Sequence, residues 1–129
     1  MSTRPPIFDG HNDALLRLWK GRPSALLHFR DGGPGHVDLP KARAGGFAGG
    51  FFAMFVPGAA RFDLSALTQE TYDIPLPPEL TEAEALKVVL EQAAILLALE
   101  ERGDLVICLS ARDVRAAMAA GKLAAILHM

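Results

Sequence analysis

Apolar residues follow two patterns along the chain: short unbroken runs, and longer stretches in which they recur every three or four residues. The first pattern predicts strands covered on both faces, the second helices with one buried side. Ile7–Asp9 is a short run that leads into the polar stretch Gly10-His11-Asn12-Asp13. Leu15, Leu16, Leu18 and Trp19 then form one side of a helix, with Asn12 or Asp13 as its candidate cap. Gly and Pro gather between Arg22 and His36, which predicts a loop. Asp38, Pro40 and Gly45-Gly46 mark the cap, first turn and stop of a short helix. The run "FAGGFFAMFVP" predicts a second strand over Phe51–Val56, ended by Pro57. The mixed, Pro-rich stretch from Gly58 to Leu80 is expected to be an excursion at the mouth of the fold. Thr81 and Glu84 have the spacing of a capping box and open a long helix that Gly103 closes. Leu105–Leu109 predicts a third strand. Ser110 and Asp113 open another helix, Gly121 stops it, and Leu123–Met129 predicts a fourth strand.

Strands alternating with helices predict an α/β fold whose sheet is parallel, with the helices outside. At 129 residues, half of them hydrophobic, the chain is long enough for one domain with a sizeable core. Met129 falls inside an apolar run, with no turn or helix after it to cover the strand. A complete (β/α)8 barrel takes roughly 250 residues, so the chain reads as the truncated N-terminal portion of a TIM-type barrel. Its last strand, "LAAILHM", is then expected to be an uncovered edge.

The formal net charge of -2 and the scattering of Lys and Arg argue against nucleic acid or an anionic membrane surface as a partner. No apolar run reaches the roughly 18 residues needed to span a bilayer, and the N-terminus lacks the apolar core of a secretory signal. A cytoplasmic protein is expected. Cys108, the one cysteine, sits in "LVICL" and reads as a buried, inert thiol.

The candidate chemistry lies in "FDGHND", residues 8–13, where carboxylates and an imidazole would be costly to bury unless paired or bound to a metal. Residues two apart in a strand point to one side, so His11 and Asp13 are expected to face the mouth at the C-terminal end of the first strand. One imidazole and one carboxylate make up part of a mixed N/O site for a divalent metal such as zinc. The structural alternative is that Asp13 caps the following helix while His11 hydrogen-bonds to it. Asp9, one layer deeper on the same side, either orients the His11 ring from behind or serves the turn. Gly10 would let the backbone pass close to a metal or a neighbouring strand. His128 reads as an interior histidine satisfied by hydrogen bonds, and His28 and His36 as surface residues of the loop region.

Three stretches in this order, "FDGHND", "VDLPKARAGGFAGGFFAMFVP" and "ARDVRAAMAAGKLAAILHM", resemble the N-terminal part of the membrane (renal) dipeptidase family. These are zinc metallopeptidases of the amidohydrolase superfamily, most other members of which carry His-x-His at the first strand. The resemblance covers nearly the whole chain. It implies a (β/α)8 barrel with two zinc ions at its mouth, His11 and Asp13 both binding the more buried one. It further implies hydrolysis of the peptide bond of dipeptides by a metal-bridging hydroxide, with no catalytic residue in this chain beyond the two metal ligands. A glutamate bridging the metals is expected directly after Met129, with the histidines of the second zinc further on. Residues 1–129 would then be the N-terminal part of a single metal-dependent hydrolase barrel, inactive alone. The implied partners are a dipeptide substrate and the remainder of the same barrel, and a homodimer is left open. Two other functions compete: another amidohydrolase-type metal hydrolase, such as a deacetylase or lactonase, and a non-catalytic half-barrel module.

Overall fold

The apolar runs pair side by side in one sheet. In the computed structural model, which describes residues 5–58 and 64–129, its strands are β1 (Ile7–Asn12), β2 (Phe47–Ala53), β3 (Val106–Ile107) and β4 (Ala124–His128). All three pairings are parallel, as the alternation of strands and helices predicts, and the order is β1-β2-β4-β3. The connections carry helices α1 (Ala14–Lys20), α2 (Ala25–Asp31), α3 (Leu39–Gly45), α4 (Glu82–Glu101) and α5 (Ala111–Ala119). Residues 59–63 of the expected excursion lie outside the described residues, and Leu64–Thr68 form a single 3₁₀ turn.

The capping signals act as the sequence predicts. The Asp38 carboxylate accepts from the backbone N–H of Lys41, Pro40 lies in the first turn of α3, and Gly46 ends the helix in the left-handed region at φ 73°. Thr81 and Glu84 form a reciprocal capping box on α4. Ser110 accepts from the N–H of Asp113 at the start of α5. The stretch between Arg22 and His36 is only partly loop. Ala25 and Phe29 stand one helical turn apart and are both buried, and that shared face folds α2 against the core despite the surrounding Gly and Pro.

Two apolar clusters hold the layers together. Leu15 and Leu18 of α1, Phe29 of α2, Leu39 of α3, Leu96 and Leu99 of α4, and Phe52 and Ala125 of the sheet form the first. Full burial of a side chain such as Phe52 or Leu96 stabilises the fold by roughly 1.5–3 kcal/mol each. The second cluster joins Ala124, Cys108 and Ile126 to Ala117 and Met118 of α5. Ala124 and Ala125 are neighbours in β4 and point to opposite faces, so α5 packs on one face of the sheet at Ala124 and the first cluster on the other at Ala125. Four strands do not by themselves close a barrel, and β3 lies beyond β4 rather than between β2 and β4. The fold is α/β with a parallel sheet, and these four strands leave it open.

The edge also differs from expectation. β4 is flanked by β2 along its full length and by β3 at Ala124 and Ala125, so it is not the edge strand. The two-residue β3 takes that place. Its short length limits what an outside strand could pair with.

Candidate metal centre

β1 and α1 are separated by one residue, Asp13, and the turn between them is built by Asn12. The Asn12 side chain is buried; its Oδ1 accepts from the N–H of Ala14 at 3.2 Å and its Nδ2 donates to Asp9 Oδ2 at 3.1 Å. Asn12 therefore satisfies a free N–H at the start of the helix. Asp13 stands at the cap position but makes no side-chain capping bond. Its Oδ1 lies instead 3.4 Å from His11 Nε2, with the two side chains 56% and 55% exposed. The pairing expected of His11 and Asp13 is thus present, although the turn brings it about rather than strand alternation, because Asp13 lies outside the strand.

The spacing of these two atoms suits a metal ion. Ligand atoms on a tetrahedral zinc with bonds of roughly 2.0–2.2 Å stand roughly 3.3–3.5 Å apart, and Nε2 and Oδ1 stand 3.4 Å apart. Nitrogen and carboxylate oxygen are both donor types that zinc accepts. Two donors do not complete a site, however. Among the described residues no group of three or more His, Cys, Asp or Glu side chains is placed to hold a metal.

Asp9 is engaged by Asn12 and not by the His11 ring. The cause is an irregularity in β1: the three steps from Asp9 to Asn12 are matched by only two on β2, from Gly50 to Phe52. That extra residue breaks the alternation expected to align Asp9 with His11. The close approach expected at Gly10 is found on the other strand. A Cβ at Gly10 would meet open space, whereas one at Gly50 would lie 2.9 Å from the Cβ of Asp9 and 3.1 Å from its carbonyl oxygen.

His128 arrives at the same end of the sheet from β4, opposite Ala53 in the parallel register. Its ring meets the His11 ring edge to face at a centroid distance of 5.7 Å, and the Phe51 ring at 5.8 Å. The interior histidine expected to rest on hydrogen bonds is packed against rings. The parallel register could have pointed to it, since residues at the C-terminal ends of adjacent parallel strands share the mouth. His28 belongs to α2 and His36 is exposed.

The other reactive groups do not compete for the chemistry. Cys108 is buried, and burial pushes its thiol above the ordinary cysteine range, which disfavours the thiolate a nucleophile requires. A cavity of about 410 Å³ opens at the opposite, N-terminal end of the sheet, where Arg43, Asp104 and Lys122 are among its lining residues. Asp104 there is already paired with Arg30 at 2.6 Å and Arg102 at 3.4 Å. Among the described residues no helix is long and apolar enough to cross a membrane.

Comparison with known proteins gives the geometry a context. A model of the membrane dipeptidase family, peptidase family M19, matches residues 1–129. An uncharacterized protein in the PQQ-III 3′ region of Acinetobacter calcoaceticus is 35% identical over 129 residues, covering 96% of this chain and 40% of that protein. The crystal structure of a metallo peptidase from Rhodobacter sphaeroides, liganded with a phosphinate mimic of the dipeptide L-Ala-D-Ala, superposes with a TM-score of 0.86. It is 40% identical, over 96% of this chain and 37% of that one. The dipeptidase AC, a metallo peptidase of family M19, also superposes with a TM-score of 0.86, at 42% identity over 96% of this chain and 36% of its own. The chain thus spans about two-fifths of the length of these relatives.

Proposed function

The chain belongs to the membrane dipeptidase family, peptidase family M19, and on that premise we propose that it is the N-terminal part of a cytoplasmic, zinc-dependent dipeptidase. In this reading His11 and Asp13 hold one of two zinc ions at the mouth of a (β/α)8 barrel, the rest of which lies in the longer protein. The observation that carries the reading is the 3.4 Å separation of His11 Nε2 and Asp13 Oδ1 at the end of the first strand, with Asp13 released from capping.

Zinc, when bound, lowers the pKa of water far enough to supply a nucleophile near neutral pH and polarises the scissile carbonyl. The residues of this chain neither give nor take a proton in that scheme. His11 offers a ring nitrogen and Asp13 a carboxylate oxygen, and the buried Asn12 fixes the turn that sets their separation. Asn12 also donates to the Asp9 carboxylate at 3.1 Å. The relative liganded with a phosphinate mimic of L-Ala-D-Ala supports small dipeptides as the substrates.

The test uses the full-length gene product. Purified with zinc it should contain two ions per subunit and hydrolyse L-Ala-D-Ala, chelation should abolish turnover, and zinc should restore it. His11→Ala should remove one zinc per subunit and nearly all hydrolysis while the protein stays folded. Full zinc content in that variant, or turnover indifferent to chelation, would exclude this function. Turnover of an N-acetyl amino acid or a lactone in place of the dipeptide would move the protein to another branch of metal hydrolases.

A further inference from the structure

A histidine that binds a metal needs its ring held at a fixed angle, and the usual device is a hydrogen bond from the second ring nitrogen to a carboxylate or carbonyl. Asp9, the carboxylate expected to do this from the sequence, accepts from Asn12. The His11 ring instead starts a file of four rings that crosses three adjacent strands, from the C-terminal ends of β1 and β4 through Phe51 of β2 back to Phe8 near the start of β1. His11 of β1 meets His128 of β4 at 5.7 Å with the planes at 89°. His128 meets Phe51 of β2 at 5.8 Å and 79°. Phe51 meets Phe8 of β1 at 5.9 Å and 89°.

We propose that this file of rings sets the angle of the His11 imidazole, which makes His128 and Phe51 positioning residues for the metal centre and His128 not a ligand. The inference rests on the reading of His11 as a zinc ligand. Edge-to-face contacts at these distances are the preferred geometry of aromatic pairs, because the positive edge of one ring meets the negative face of the next. Rotating the His11 ring about its bond to the backbone would break the contact with His128. The file is anchored where the sheet is strongest, since Phe51 sits in β2, paired on both sides, and Phe8 is itself part of β1. His128 is close enough to support the ring but does not join His11 and Asp13 in a three-donor group.

Ring support and ligation are separated by replacing the imidazole with a ring that cannot bind metal. In the full-length protein, zinc affinity is measured by competition with a chelating dye, and the visible spectrum is recorded after loading with cobalt(II). His128→Ala should weaken zinc binding about tenfold, the size expected for loss of a group that orients a ligand, and should change the cobalt spectrum. His128→Phe should keep both close to the parent, and Phe51→Leu, which retains apolar bulk without a ring, should weaken binding in the same direction as His128→Ala. Thermal unfolding of the metal-free variants confirms that each is folded, and Phe51→Leu provides the reading if His128→Ala does not fold. Unchanged affinity and spectrum in His128→Ala and Phe51→Leu would overturn the proposal. So would His128→Phe as weak as His128→Ala, which would make the imidazole a ligand. His11→Ala in the same assay keeps the two readings apart: if it retains zinc, the metal assignment itself fails, and if it alone loses zinc, only the role of the ring file fails.

Discussion

Asp13 and Asp38 stand at the same position, the residue before a seven-residue helix, and the protein uses them in opposite ways. Asp38 is buried, with its side chain 1% exposed, and every bond it makes is structural. It accepts from the N–H of Lys41 at 2.9 Å and of Gly33 at 3.3 Å, and pairs with the Lys41 ammonium. Asp13 is more than half exposed and points at His11. The backbone explains the divergence. Asp38 is extended, at φ -151° and ψ 169°, which lets a cap side chain fold back over the first turn, whereas Asp13 lies at φ -102° and ψ 31°. Asn12 takes over a free N–H of α1 and leaves the Asp13 carboxylate for other work. A residue at the cap position that does not cap keeps its carboxylate for another partner, here His11.

The sharpest way to break this comparison is to exchange the two side chains for alanine and read metal binding and stability separately. Asp13→Ala should lower zinc affinity and dipeptide hydrolysis by more than the roughly 100-fold that marks the loss of an outer partner. Its unfolding free energy without metal should move by no more than about 0.5 kcal/mol, as for surface changes. Asp38→Ala should do the reverse, with zinc content retained and stability reduced by about 2 kcal/mol, near the upper end for a lost cap because the buried carboxylate also takes its hydrogen bond from Gly33 and its pairing with the half-exposed Lys41 with it. A loss of stability in Asp13→Ala as large as that in Asp38→Ala would erase the distinction.

A smaller effect should appear in acid. Burial pushes the Asp38 carboxyl up, but the hydrogen bonds from Lys41 and Gly33 and the Lys41 charge outweigh it, and the pKa ends below the ordinary aspartate value. A carboxylate with a lowered folded pKa stabilises the protein fully above its unfolded value of about 3.9, and loses that contribution as pH falls through the folded value. Metal-free protein should therefore lose stability below about pH 4, and Asp38→Asn should flatten that part of the profile. An acid limb of the same steepness in the variant would remove Asp38 from the explanation.

Much of the fold is legible in the sequence because its signals are local. The capping pairs Thr81–Glu84 and Ser110–Asp113, Gly46 past the end of α3, and the apolar run of β4 each act within a few residues. β2 instead runs over Phe47–Ala53, starting four residues before the expected Phe51–Val56. What escapes is set by distant partners. α2 depends on the burial of Ala25 and Phe29 in a core assembled from other elements, and local Gly and Pro hide it. The place of β4 inside the sheet depends on β3 crossing to its far side. At the candidate centre, His11 and Asp13 are legible as a pair, and of the two roles open to Asp9 the structure shows the one in the turn, where it accepts from Asn12, because the irregularity between Asp9 and Asn12 shifts alternation by one residue. The rings of Phe51 and His128 reach His11 only through the register of three strands, which no spacing along the chain records.

The most direct test of the proposed metal centre is the position of zinc itself, read from anomalous diffraction at the zinc absorption edge in crystals of the full-length protein. The expected result is a peak within roughly 2.0–2.2 Å of both His11 Nε2 and an oxygen of Asp13. A strong zinc peak elsewhere in the structure, with His11 and Asp13 bonded only to each other, would contradict the assignment.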